Sequence, residues 1–203
     1  MQFAEKNIWR LAERLFPIWR SLSGSGNEET LAVLKSELLP DLQLKKVSSG
    51  SEVYDWTIPP EWQVRRAYIK NGAGEIIVDT VENNLHLVSY SMPISGVFSE
   101  EELRPHLYSI EAVPEVIPYR TSYYTEDWGF CIKHSLLSSE KFFGPFEVLI
   151  DSQLKTDGNL VFGECVKQGR VEDEILISTY FCHPSMANDN LSGVLVGSFL
   201  FNY

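Results

Sequence analysis

The chain has no basic tract, no cysteines at C-x2-C spacing, and no apolar run of about 18 residues. Each absence removes a class. Its 17 basic and 28 acidic residues give a formal charge of -11, which excludes a nucleic-acid backbone as a natural partner. The lack of a long apolar run excludes a transmembrane helix. The opening "MQFAEKNIWRLAERLFPIWR" scatters charges through its apolar positions and so does not read as a signal peptide. Cys131, Cys165 and Cys182 are too few and too irregularly spaced for a disulfide framework. Reduced thiols and the cytoplasm are therefore the default expectation. Neither G-x-S-x-G nor G-x4-G-K-[ST] occurs, which leaves no signature of a serine hydrolase or of a phosphate loop. "SGSGNE" precedes a helix but follows no strand, so it too fails as a phosphate site.

What is present is a globular composition, 44% hydrophobic and 12% aromatic over 203 residues. Ile8, Leu11, Leu15 and Ile18 fall at helical spacing, with Pro17 to end the helix. A second helix is expected through "EETLAVLKSELL", capped by Ser25 or Asn27 and closed by Pro40. "LQLKKV" alternates as a strand does. From about residue 51 to 154 the texture changes, with most of the ten prolines and several strand-like runs. "RRAYIK", "EIIVDT", "LHLVSY" and "FEVLIDS" predict strands, and Ser99 with Glu102 predicts a capped short helix. The organisation read here is an α/β domain in two pieces, 1–50 and 155–203, around a mainly β insertion at 51–154. In the last piece, "NLVFGECVKQG" and "EDEILISTYFC" read as strands joined by a charged turn, with "EILISTY" covered on both faces. "DNLSGVLVGSFLFNY" reads as a helix that is apolar almost all round, and it predicts self-association or docking onto a partner.

The chemistry concentrates in "YFCHPSMANDNLSG". His183 follows a strand-like run and Asp189 opens a helix-like run, so both could face one crevice at a strand end. An imidazole and a carboxylate are ordinary zinc ligands. The same residues admit a purely structural reading, with His183 bonding a carbonyl and Asp189 capping the helix. Asn190, Ser192 and Gly193 form the helix entrance, where small residues allow close packing. Cys182, on the opposite side of a continuing strand, reads as structural.

Taken with "DWTIPPEW", "AYIKNGAGEIIVD", "NLHLVSYSMPISG" and "IPYRTSYYTEDWGFCIKH", this stretch resembles a bacterial branch of aminopeptidase-like proteins with an inserted domain of unknown function. That branch is similar to the co-catalytic di-zinc aminopeptidases. The resemblance runs from about Ile8 to the C-terminus. It implies a zinc-exopeptidase-like mixed sheet with flanking helices. His183 is then a ligand of one zinc, Asp189 bridges two, and the Asp189–Asn190 peptide is cis. In that family two zinc ions polarise the scissile carbonyl and a glutamate moves the proton. Ser185 stands where better-known members carry the aspartate that orients the histidine. The general-base glutamate and the other ligands fall beyond Tyr203 in the family pattern.

The expectation is thus a zinc metallohydrolase acting on an N-terminal peptide or related amide bond, truncated and inactive alone. No catalytic residue is assigned within the chain. One or two zinc ions are expected for a complete site; whether this piece alone binds any stays open, as do manganese and cobalt. The alternatives are a non-catalytic binding or scaffold protein that kept the fold, and half of a split enzyme. Expected partners are a peptide or small amide substrate, a second copy, or the missing half; nucleic acid and membrane are not expected. Tyr123, Tyr124 and Trp128 are candidate walls of a substrate crevice, against a plain packing role. A metal role for Cys131 and His134 is disfavoured because C-x2-H has no second pair.

Overall fold

The structure, a computed structural model, describes residues 2–202, with side chains from residue 7 onward. It is an α/β protein that divides into two compact units, Met1–Glu61 with Thr156–Tyr203, and Trp62–Lys155.

The first unit is built on helix α1 (Gln2–Leu15), helix α2 (Ser25–Glu37), strand β1 (Gln43–Ser48), the short pair β2 (Glu52–Val53) and β3 (Trp56–Thr57), and a returning strand and helix near the C-terminus. The helical spacing of α1 puts Leu11 and Leu15 into the core, at 1% and 0% exposure. On the outer side of α1, Arg10 and Arg14 both pair with Glu37 of α2. The start of α2 differs from expectation. Gly24 holds the cap position without a side-chain bond. Asn27 instead turns back, donating to the Ser21 carbonyl at 2.8 Å and accepting from the Ser21 amide at 3.1 Å. That buried amide pins the loop, a use that competes with capping.

The second unit, Trp62–Lys155, centres on a four-stranded sheet made of β4 (Glu61–Lys70), β5 (Ile76–Asp79), β6 (Ile94–Phe98) and β9 (Phe146–Lys155). Across the sheet their order is β5–β4–β9–β6. Along β9, Phe146, Val148 and Ile150 alternate into the core, each at 1% exposure or less. That is the period-2 pattern of a strand with one buried face. Ser99 and Glu102 form the expected reciprocal cap on helix α3 (Glu100–Leu103). A small parallel pair, β7 (Leu107–Tyr108) with β8 (Phe130–Cys131), belongs to the same unit. "LHLVSY" is not a strand. Asn84–His86 form a 3-10 turn capped by Asn83, because the Asn83 side chain accepts from the Leu85 amide and bends the chain.

The chain then returns to the first unit as β10 (Asn159–Glu164), which pairs antiparallel with β1, and ends in α4 (Ser192–Asn202). The expected hairpin is absent. Residues 165–183 form no strand among the described residues. Nor is "EILISTY" covered on both faces, since Ile175 is 93% and Leu176 88% exposed. Ile177, Thr179 and Phe181 line a gap of about 140 Å³ with Leu31, Leu42 and Val194. No strand lies beside this stretch among the described residues, and the backbone bonds of a sheet need one. In α4, Val194 and Leu195 join Leu11, Leu15, Leu34 and Val161 in a single core. The other side of α4 is open, with Val196 and Leu200 more than half exposed.

Candidate functional site

The turn Ala187–Leu191, just before α4, is where helical geometry fails. Asp189 (φ -118°, ψ 77°) and Asn190 (φ -153°, ψ 31°) are non-helical, and the peptide between them is cis, as the resemblance implied. The kink turns the Asp189 carboxylate back toward the end of the extended segment. His183 Nε2 lies 3.9 Å from Asp189 Oδ2. The two residues singled out in the sequence therefore do face each other. Asp189 is not a helix cap: Met186 holds that position, without a side-chain cap bond.

Three groups that sequence reasoning missed complete the site. The Tyr180 hydroxyl donates to Asp189 Oδ1, which leaves Oδ2 on the histidine side. Cys182, expected to point away, has its Sγ 3.3 Å from His183 Nδ1. The strict alternation of a paired strand does not constrain this unpaired stretch. Arg20, buried at 1% exposure, donates from Nε to the His183 carbonyl at 3.1 Å and from Nη1 to the Leu15 carbonyl at 2.5 Å. It ties the end of α1 to the histidine backbone. Tyr180 could have been found as the neighbour two residues before Cys182; Arg20 carries no signal in the sequence at all.

The electrostatics follow from burial. Loss of solvent holds the His183 pKa below its ordinary value, with the Asp189 charge opposing. A neutral imidazole with a free lone pair is the form that ligates metal. The hydrogen bond to Asp189 pushes the Tyr180 hydroxyl up, so it stays a donor. Burial raises the Cys182 thiol and pulls Arg20 down to about 10.

Ser185, with a left-handed φ of 44°, points its hydroxyl to the Phe16 carbonyl at 3.4 Å. Asn190 is 5% exposed, and both polar atoms of its amide lack a partner among the described residues. Ser192 and Gly193 open α4. A Cβ on Gly193 would stand 3.0 Å from Thr179 Oγ1, so glycine permits the close approach of helix and extended segment. Tyr123, Tyr124 and Trp128 belong to the second unit. Tyr123 meets Tyr90 edge-on, Tyr124 is 74% exposed, and Trp128 stacks on His106 at 3.7 Å.

Would these residues fit a zinc ion? Ligand bonds of about 2.0–2.1 Å in tetrahedral geometry separate two donors by about 3.4 Å. The 3.9 Å between His183 Nε2 and Asp189 Oδ2 is within about half an ångström of that. The orphaned Asn190 amide beside them marks a polar site with unmet partners. The pair fits as part of a centre. Among the described residues, no group of three His, Cys, Asp or Glu could hold an ion by itself.

Over 193 residues the chain is 45% identical to a Clostridium acetobutylicum protein provisionally named for polysaccharide biosynthesis with an aminopeptidase-like domain. The match covers 95% of this chain and 44% of that protein. A crystal structure from Clostridium acetobutylicum, provisionally named a peptidase, matches with a TM-score of 0.93 and 43% identity. It covers 98% of this chain and 47% of the other. The chain thus spans a little under half the length of the relatives it matches. Residues 9–203 match the model of a domain of unknown function, DUF4910, and the chain belongs to that family.

Proposed function

We propose that the chain carries part of a zinc metallohydrolase centre that cleaves N-terminal peptide or related amide bonds. The observation that supports this most is His183 Nε2 facing Asp189 Oδ2 at 3.9 Å across the kinked turn. His183 and Asp189 would hold the metal, Asp189 with a second oxygen free to reach a neighbouring ion. Zinc, when bound, would polarise the scissile carbonyl. The chain's own residues prepare that site. Tyr180 orients the carboxylate, Arg20 fixes the backbone from which the imidazole hangs, and burial keeps that imidazole neutral. Cys182 Sγ lies 3.3 Å from Nδ1, the ring nitrogen that does not face Asp189.

A second reading, a binding or scaffold protein that kept the fold, draws support from the ligand set. It stops at two among the described residues, where a catalytic zinc takes three from protein. Elemental analysis of dialysed protein beside a His183→Ala variant separates the readings. Near-stoichiometric zinc that the variant loses, together with hydrolysis of aminoacyl-anilides, supports the enzyme. Metal-free, inert protein refutes catalysis by this chain.

A further inference from the structure

We propose that Cys182 is a positioning residue for His183: its sulfur accepts the Nδ1 proton, which leaves the Nε2 lone pair on the side of Asp189. The role rests on the reading of His183 and Asp189 as metal ligands, while the contact that carries it is independent of any metal. Cys182 Sγ and His183 Nδ1 stand 3.3 Å apart, within hydrogen-bond reach for sulfur.

A neutral imidazole carries one proton, and the hydrogen bond made by one ring nitrogen decides the state of the other. In water the histidine ring favours the proton on Nε2, the wrong form for a ligand that binds through Nε2. Something must therefore hold the proton on Nδ1. Asp189 does not, because its Oδ2 faces the other nitrogen, and at 3.9 Å it is beyond hydrogen-bond range. Ser185 does not either, since its hydroxyl is turned to the Phe16 carbonyl at 3.4 Å. The Cys182 sulfur is in place. Burial raises its pKa, so it stays an uncharged thiol, a weak acceptor.

The same contact sets the orientation of the ring. Arg20 anchors the His183 carbonyl at 3.1 Å, and the Tyr180 ring meets the imidazole edge-on with centroids 5.7 Å apart. Neither distinguishes the ring from its form turned half a revolution about the Cβ–Cγ bond. That turn would put a carbon beside the sulfur and take Nε2 away from Asp189. A hydrogen bond to Nδ1 opposes it.

Long-range proton–nitrogen NMR of the metal-free chain, with its histidines isotopically labelled, reads the tautomer directly, and a His183→Ala sample assigns the signal. In the parent, the neutral His183 ring should carry its proton on Nδ1. Cys182→Ala should move most of it to Nε2, and Cys182→Ser, which restores an acceptor, should return it at least in part. Circular dichroism should not change in either variant. Zinc competition with a chromophoric chelator should show affinity about tenfold weaker for Cys182→Ala, the low end for loss of a ligand's supporting contact, as suits a weak acceptor. A parent with its proton on Nε2, or a tautomer that Cys182→Ala leaves unchanged, would overturn the proposal whatever the zinc result. So would a thiolate-to-cobalt absorption band on adding cobalt(II), which would make the sulfur a ligand. Tautomers that shift as expected in a chain that takes up no zinc would support the contact and refute only the metal-centre reading.

Discussion

Replacing Arg20 by methionine tests whether the candidate site is held from behind. The guanidinium makes two hydrogen bonds, to the carbonyls of His183 and Leu15, from a position only 1% exposed. Bonds from a charged donor contribute about 1.5–3 kcal/mol each, so their loss costs roughly 3–6 kcal/mol. Against this stands the cost of burying the cation. Burial pulls its pKa from 12.5 to about 10, which corresponds to roughly 3 kcal/mol of desolvation that methionine does not incur. Methionine also retains most of the volume. The balance is a net loss of about 0–3 kcal/mol, or a fall in Tm of up to about 15 °C for a unit near one hundred residues. The bond to the His183 carbonyl predicts a second effect. With the backbone released, zinc affinity should drop by about tenfold, as when a ligand loses its support. Thermal unfolding by circular dichroism and zinc competition with a chromophoric chelator read the two effects separately. A methionine variant as stable as the parent, with unchanged zinc affinity, would refute the view that Arg20 is the anchor.

Tyr180→Phe removes the donor to Asp189 Oδ1 at an exposed position, so stability should change by less than about 0.5 kcal/mol while zinc affinity falls about 10-fold or more in the same competition assay. Gly26→Ala should destabilise by about 2–3 kcal/mol in a urea titration, because its Cβ would stand 2.0 Å from the Trp19 carbonyl oxygen, which is backbone and cannot rotate away. In the second unit, the Arg66 hydrogen bond holds the Asp79 carboxyl below the usual range. Its folded pKa lies below the unfolded value of about 3.9, so the stabilisation is complete above that value and is lost as pH falls through the folded one. Tm measured from pH 6 to pH 2 should therefore fall more for the parent than for Asp79→Asn, and parallel curves would contradict the pairing.

Where local sequence dictates local structure, the fold could be read before it was seen. The α1 spacing, the alternation of "LQLKKV", the Ser99–Glu102 cap and the "FEVLIDS" strand all belong to that class. The failures share a different cause. "LHLVSY" has strand composition, but an asparagine cap one turn earlier bends it. "EILISTY" has strand composition too, yet a ladder requires a neighbour, and composition does not supply one. The His183 and Asp189 juxtaposition was legible because six residues of chain suffice to make it. Arg20 reaches the same place from 163 residues away, and only packing brings it there.

The place where the chain leaves and re-enters its first unit has an evolutionary consequence. Glu61 accepts a hydrogen bond from the Asn159 amide at 3.0 Å, so the two ends of the interrupted unit already touch. The strands that begin and finish the intervening stretch, β4 and β9, are neighbours in one sheet. Ninety-odd residues can therefore be gained, lost or exchanged at this seam, with only a short turn needed to close it and little entropy at stake. A module of this size could be exchanged at such a junction without disturbing the frame that carries His183 and Asp189.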